Sequence, residues 1–415
     1  MPIDPGDPTS ARSDGLPGAP PGSALSERLG SRQRLRGHVV NFIVGRRSRW
    51  AEGRLRANPV LWDLLTRVAH GTEVTGASYS DYWTLYEQVR QHKPVEILEM
   101  GTGISTVAMA QALRENEAAL ARHRQMMAFE PIDYGPLLGG EPGAGTIGGL
   151  LACNLAGPRR VKMGAARDHF LGAACVTGRG EAVKTGGKVV KNVTGYDLCK
   201  LLAGSWGTLT VMTEVTIKVL PAPEDIRTLL LHRLDDHAAV AAMTVAMQSA
   251  HEVSGAAHLP ADTTGDLGMA RVSGAGTAVT ALRLEGFGPS VRARVLALSA
   301  ELAAFGDVTE LDAVPSRALW RSIRDVEAFS SLWDRPVWRL SVPPAAGGEV
   351  AEAIRTQVDC RILFDWAGGL LWVAPVAEPG SDLGEAAIRL AVSTSGGHAT
   401  LIRAPAEDRE ALDVF

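Results

Sequence analysis

Between Gly135 and Gly157 the chain places glycine at positions 135, 139, 140, 143, 145, 148, 149 and 157, with prolines at 136 and 142. Such a run cannot be an ordinary helix or strand throughout, because glycine loses the most backbone freedom on ordering and proline lacks an N–H donor. Within it, GTIGGLLACNLAG (Gly145 to Gly157) is the most informative part. Gly145, Gly148 and Gly149 remove the Cβ atoms that would keep an anion away from the backbone, while Thr146 and Asn154 add polar groups beside the exposed amides. A concave set of amides of this kind suits a pyrophosphate, and a plain turn fits the same residues equally well.

The surroundings of this stretch read in two styles. From residue 58 to about 116 the pattern is α/β: NPVLWDLLTRVAH and SDYWTLYEQVRQH as capped helices, then VEILEM as a strand, GTG as a turn and ISTVAMAQALREN as an amphipathic helix. After the glycine run come β-rich segments. FLGAACVTGRGEAVKTGG reads as two strands about a Gly-Arg-Gly turn, and KNVTGYDLCKLLAGSWGTLTVMTEVTIKVLP as a helix, a glycine break and a long strand ending at Pro221. The remainder repeats one order. TLLLHRL, a helix about 238–248, VSGAAHL, TAVTALRLEGF, a helix about 290–304 and DVTELD give β-α-β-β-α-β. After a linking helix about 316–329, the segments PVWRLSV, EVAEAIRTQV, RILFDW, LLWVAPV, LGEAAIRLAV and HATLIRA give it again.

The run EPGAGTIGGLLACNLAGPRRVKMGAARDHFLG, followed by KNVTGYDLCKLLAGSWGTLTVMTEVTIKVLP, resembles the second half of a p-cresol methylhydroxylase-type FAD-binding domain. The FEPIDYGPLLGG, AGPRR and GGHAT runs point, within that FAD-linked oxidase family, to the smaller FAD-binding subunit of glycolate oxidase, the E subunit, over about 120–415. The resemblance implies that Gly145, Thr146, Gly148, Gly149 and Asn154 line the flavin and its pyrophosphate, and that Gly157 closes the loop. It places Ile217 at the adenine end through its backbone, and Gly204 and Gly207 about Trp206, where a helix-to-strand turn is the alternative reading. Arg159 and Lys191 are candidates for stabilising negative charge on reduced flavin, and His398 for accepting a proton, each against the plainer reading of an ordinary surface or core group. Asp168 and Asp197 read as braces of local backbone. No catalytic base is identified, and no metal site is expected.

The fold expected is therefore α+β: the second subdomain of an FAD-binding domain (120–223) and a ferredoxin-like cap domain (224–415), preceded by a partial Rossmann-like segment (58–119) and a disordered or Arg-rich N-terminal segment (1–57). VEILEMGTGISTVAMAQALREN resembles the first motif of class I S-adenosylmethionine methyltransferases through Glu99, Gly101 and Gly103, with Glu130 standing where a ribose-binding acid would come. An S-adenosylmethionine-binding fragment is thus the alternative function. The family's N-terminal FAD half-domain, its His-Gly-Asp-Gly-Asn segment and its final Asn-Pro-Gly-Arg run have no counterpart in this sequence.

Composition bounds the partners. At 46% hydrophobic, 21% charged and net charge -4, the chain can bury a core and gives no general reason to bind nucleic acid. Cys153, Cys175, Cys199 and Cys360 are scattered, without metal-ligand or iron–sulfur spacing, and read as free thiols in a reducing compartment. No apolar run is long enough to span a membrane and no signal peptide opens the chain. The expected location is cytoplasmic, with association to the inner membrane only through partners. By resemblance those partners are a larger flavin subunit and an iron–sulfur subunit of glycolate oxidase, the cofactor is FAD and the substrate is a small 2-hydroxy acid.

Overall fold

The computed structural model describes residues 124–412, apart from 141, 144, 189–194, 266–271, 273–275, 333–334, 377–382, 406–407 and 410–411. The readings made for residues 1–123, the Arg-rich segment and the methyltransferase-like strand, turn and helix, lie outside the described residues, as does Lys191.

The first part runs β1 (Gln125–Met126), α1 (Tyr134–Leu138), α2 (Ile147–Ala152), α3 (Arg160–Met163), α4 (Ala166–His169), β2 (Phe170–Thr177), β3 (Ala182–Gly186), α5 (Leu198–Leu202), β4 (Thr210–Ile217) and β5 (Leu220–Pro221). Strands β3, β2 and β4 form an antiparallel sheet in that order. Its hairpin turns at Gly180, whose φ of 78° is left-handed and free of strain for glycine. Ala173, Cys175, Met212 and Val215 of this sheet cluster with Ile147, Leu151, Ala166, Cys199 and Leu202 from the helices. The strand expected to reach Pro221 ends instead at Ile217, which lies opposite Phe170, the first residue of β2. Past Phe170 one further bond, from the Lys218 amide to the His169 carbonyl at 2.8 Å, ends the pairing, and Leu220–Pro221 crosses to pair with β1.

The second part runs β6 (Asp225–His232), α6 (Asp236–Gln248), β7 (Gly255–Leu259), α7 (Ala261–Thr264), β8 (Val279–Gly286), α8 (Gly288–Leu302), β9 (Val308–Leu311), α9 (Ala313–Arg324), β10 (Val337–Ser341), α10 (Gly347–Arg355), β11 (Cys360–Asp365), β12 (Leu370–Pro375), α11 (Glu385–Ser395) and β13 (His398–Arg403). One eight-stranded sheet has the order β13-β10-β12-β11-β7-β8-β6-β9 with antiparallel neighbours throughout. From each outer edge inward, each half runs fourth, first, third, second strand, the split βαβ arrangement. The halves meet where Phe364 of β11 faces His258 of β7, with the rings edge-on at 5.5 Å.

Both faces of this sheet are buried, because each strand feeds two cores in alternation. On one face Leu229, Leu282, Trp338, Leu340, Ile362 and Leu401 pack with Met243, Val295, Ile354 and Ile388 from α6, α8, α10 and α11. On the other Leu230, Ala281, Leu363 and Trp372 pack with Leu319, Trp320 and Ile323 of α9 and with Ile132, Leu137 and Ala165 of the first part.

Buried charges fix this second contact. Arg283 of β8 is 0% exposed and holds the Glu130 carboxylate with both terminal nitrogens, at 3.0 and 2.8 Å. Its guanidinium lies 4.5 Å from the Trp320 ring centroid. Arg159 makes a second fork to Glu285, at 3.0 and 2.7 Å, and approaches Glu130 at 3.4 Å. At the far edge Arg403 of β13 donates to the carbonyls of Leu137 at 2.8 Å and Phe329 at 3.1 Å.

Burial alone would raise the Glu285 pKa, but Arg283 and Arg159 outweigh it and hold the carboxyl down to about 2. A folded value below the ordinary 4.5 means that this stabilisation is complete above pH 4.5 and is lost as pH falls toward 2. Acid titration of Glu285→Gln, followed by circular dichroism, should therefore show a shallower loss of stability across that window than the unaltered chain. Arg283→Met removes the fork on Glu130 and leaves both carboxylates to Arg159 alone, and should lower the urea-unfolding free energy by about 3 kcal/mol.

Candidate functional site

Helix α2 brings together Gly145, Thr146, Gly148, Gly149 and Asn154, and the loop of Gly204 and Gly207 ties back to it. Thr146 is extended (φ −110°, ψ 151°) and caps the helix, its Oγ1 accepting from the Gly149 amide at 3.1 Å. Helices leave their first amides without internal partners, and at α2 this end opens on a cavity of about 450 Å³ lined by Gly143, Gly145, Ile147, Leu150 and a set of arginines that includes Arg317, Arg321 and Arg324. A Cβ added at Gly145 would meet no protein atom within 4 Å. Gly148 and Gly149 lie inside α2, so the glycine run is a capped helix here and not a free loop.

The far end of α2 faces a different cavity. Asn154 is left-handed (φ 50°), and its Oδ1 accepts from the Arg167 amide at 2.9 Å. The Gly204–Gly207 loop is the turn between α5 and β4, with φ of 83° at Gly204 and 72° at Gly207. It also ties back to α2, since the Gly204 amide donates to the Leu151 carbonyl at 3.1 Å and the Trp206 amide to that of Ala152 at 2.9 Å. Asn154, Gly204 and Trp206 line the second cavity, of about 300 Å³.

The remaining predicted residues are held by protein. Ile217 is buried in the ladder opposite Phe170. Gly157 closes its loop against protein: its amide donates to the Phe129 carbonyl at 3.0 Å, and its carbonyl accepts from Trp366 Nε1 at 3.0 Å. A Cβ there would collide with the Glu130 carbonyl. Arg159 and Glu130, read from sequence as a flavin-facing cation and a ribose-binding acid, are engaged with each other and with Arg283 and Glu285. Asp168 does brace backbone, accepting from the Ala165 amide at 2.8 Å, and Asp197 pairs with Lys200 at 3.3 Å.

On the opposite wall of the second cavity stands His398, already singled out from the sequence, but sequence reasoning missed its companions there. Arg339 and Ser341 of β10 stand in register with Thr400 and His398 of β13, so all four share one face of the sheet, and they line the cavity with Tyr134, Arg160 and Trp366. The alternation in VWRLS, where Trp338 and Leu340 are buried in the core and Arg339 and Ser341 are not, was the signal that could have found them. Burial pushes the Tyr134 phenol up to about 12. Burial lowers His398 below the ordinary histidine value, and the charge of Arg339 acts the same way.

No protein-family model matches the chain. Glycolate oxidase subunit GlcE of Escherichia coli (strain K12) is 32% identical over 313 residues, covering 75% of this chain and 75% of its own length. This chain belongs to the GlcE family of glycolate oxidase subunits. Glycolate oxidase subunit GlcD of Bacillus subtilis (strain 168) is 46% identical over 85 residues, which span 20% of this chain and only 18% of GlcD. Among solved structures, alkyldihydroxyacetonephosphate synthase aligns with a TM-score of 0.52 at 16% identity, covering 68% of this chain and 57% of the synthase, a likeness of fold alone. These relatives lend no support to the S-adenosylmethionine-binding alternative.

Because Gly157 touches backbone on one side and Trp366 on the other, Gly157→Ala in this GlcE relative should cost about 1–3 kcal/mol through overpacking. Thermal unfolding of the variant would show it, and a melting temperature equal to that of the unaltered chain would contradict the close approach.

Proposed function

We propose that this chain is the FAD-binding subunit of a glycolate oxidase, an oxidoreductase acting on the CH–OH group of small 2-hydroxy acids. The single observation that carries the reading is the GlcE relationship, with its 75% coverage of both chains. Residues 120–223 are the second subdomain of the FAD domain in this reading, and 224–415 are the ferredoxin-like cap.

The chain's own residues fit the cofactor. Gly145 leaves open space where a side chain would stand, and of the arginines lining the same cavity Arg317 and Arg321 supply positive charge, while Arg324 is forked onto Asp325. Gly145, Thr146, Gly148, Gly149 and Asn154 would hold FAD along α2, with Gly204 and Gly207 at its far end and Gly157 and Ile217 supporting the backbone behind. Bound there, FAD would accept a hydride from the carbon bearing the hydroxyl group, which is chemistry the protein itself does not supply. The protein contributes position and charge.

A larger flavin subunit of the GlcD kind is the partner this reading calls for, together with an iron–sulfur subunit to take electrons onward. Among the described residues no cluster of His, Cys, Asp or Glu could hold a metal ion, and the four cysteines are free. No helix among them is long and apolar enough to cross a membrane. A cytoplasmic location, with the inner membrane reached through partners, belongs to the same reading.

The test is the visible absorbance of the purified chain, in which flavin bands are expected. Gly145→Val should remove them with little change in stability, since its side chain would fill ligand space and meet no protein atom. Flavin retained in that variant at the level of the unaltered chain would show that the open side of the glycine loop is not part of the cofactor site. Alone, the chain should turn over glycolate with an artificial dye far below ~1 per second, the lower end of ordinary enzyme rates, and co-expression with both partners should restore oxidation.

A further inference from the structure

The cofactor reading uses Asn154 and Gly204 of the second cavity but leaves its cations unused. Arg160 and Arg339 both stand over the indole of Trp366, their guanidinium carbons 4.5 and 5.1 Å from its ring centroid. Among the described residues neither guanidinium has an ion pair or a side-chain hydrogen bond, whereas Arg159 and Arg283 are both forked onto carboxylates. Burial lowers the pKa of Arg339, and the like charge of Arg160 acts in the same direction. Two cations near each other beside an aromatic ring, with no carboxylate in their grip, are an incomplete arrangement. A bound anion would complete it.

The wall between them is polar without being acidic. Ser341 and Thr400 supply hydroxyls, and Tyr134 is a neutral phenol with its pKa at about 12. The Cys153 thiol is raised by burial and His398 is lowered by it, so neither carries charge at neutral pH. Asp365, fully buried behind Trp366, is pushed up to about 7 by that burial, and its carboxylate accepts from the Trp366 amide at 2.7 Å. Asp168 acts on Arg160 only through its field.

Trp366 is held in place at a cost. It and Ala367 are left-handed, with φ of 53° and 58°, a conformation that side chains with a Cβ disfavour by about 1–2 kcal/mol each. The bonds to Asp365 and to the Gly157 carbonyl fix the ring at the seam between the sheet and the first part. Strain kept at a cavity wall is the kind of feature that accompanies ligand sites.

We propose that Arg160 and Arg339, with the hydroxyls of Ser341 and Thr400, form a binding site for the carboxylate of a small 2-hydroxy or 2-oxo acid in this cavity. Guanidinium forks match a carboxylate in shape and charge. A volume of about 300 Å³ suits an acid of a few carbons better than a long chain. This rests on the oxidoreductase reading for the choice of acid, and it assigns substrate or product recognition to this chain and not only to its larger partner.

Isothermal titration of the purified full chain with oxalate, glyoxylate and inorganic phosphate tests it, with flavin content read separately from visible absorbance. Saturable binding of oxalate and glyoxylate is expected. Arg339→Met and Arg160→Met should each weaken it about tenfold or more, the loss of a hydrogen bond to a charged group, at unchanged flavin content. Arg160 is exposed, so its variant remains folded and informative if Arg339→Met does not. Carboxylate binding that is lost in the variants of a flavin-free chain would uphold this site while defeating the cofactor reading. The site itself is overturned if the unaltered chain binds neither acid, if phosphate alone binds, if the variants bind as before, or if they lose flavin along with the acid.

Discussion

Everything about the architecture depends on a pair of arginine forks at the seam between the two parts. Arg283 comes from the middle of the eight-stranded sheet and Glu130 from the segment just after β1, and Arg159 and Glu285 cross the same boundary in the opposite sense. Arg283 and Glu285 are buried and Glu130 and Arg159 nearly so, and a partner removed from such a set costs more than an exposed pair contributes. The forks set orientation as well as energy. They place the capped end of α2 beside the arginines of α9, and the far end of α2 opposite β10 and β13.

Two cavities result, joined by one short helix. The first has open glycine, helix amides and cations. The second has cations over an indole, hydroxyls and neutral titratable groups. The two cavities differ in chemistry although the residues that mark the two ends of α2, Thr146 and Asn154, are only eight positions apart.

Much of this was legible in the sequence. The β-α-β-β-α-β order stands out because polar and apolar residues alternate along the strands and recur at helical spacing in Val291, Val295, Leu298 and Leu302. The glycine run announced a backbone approached closely, and Gly157 is approached closely, though by Glu130 and Trp366 and not by an anion. What sequence could not disclose was pairing at long range. Arg159 looked like a free cation because Glu285 lies 126 residues away in the chain. Arg339 looked like an ordinary strand residue because nothing local says that Arg160 and Trp366 will come to stand beside it.

One tie has a consequence in time. The guanidinium of Arg403, at the end of β13, donates to the carbonyl of Leu137, 266 residues earlier. At a synthesis rate of about 5–20 residues per second, that carbonyl waits roughly 13–53 s before its partner exists. For most of that interval the glycine-rich segment also lacks the Trp366 hydrogen bond to Gly157, since Trp366 is made only 37 residues before Arg403. The nascent chain therefore carries its first part unfinished until β13 has been made, and a chaperone or an early-arriving cofactor would have its greatest effect in that window.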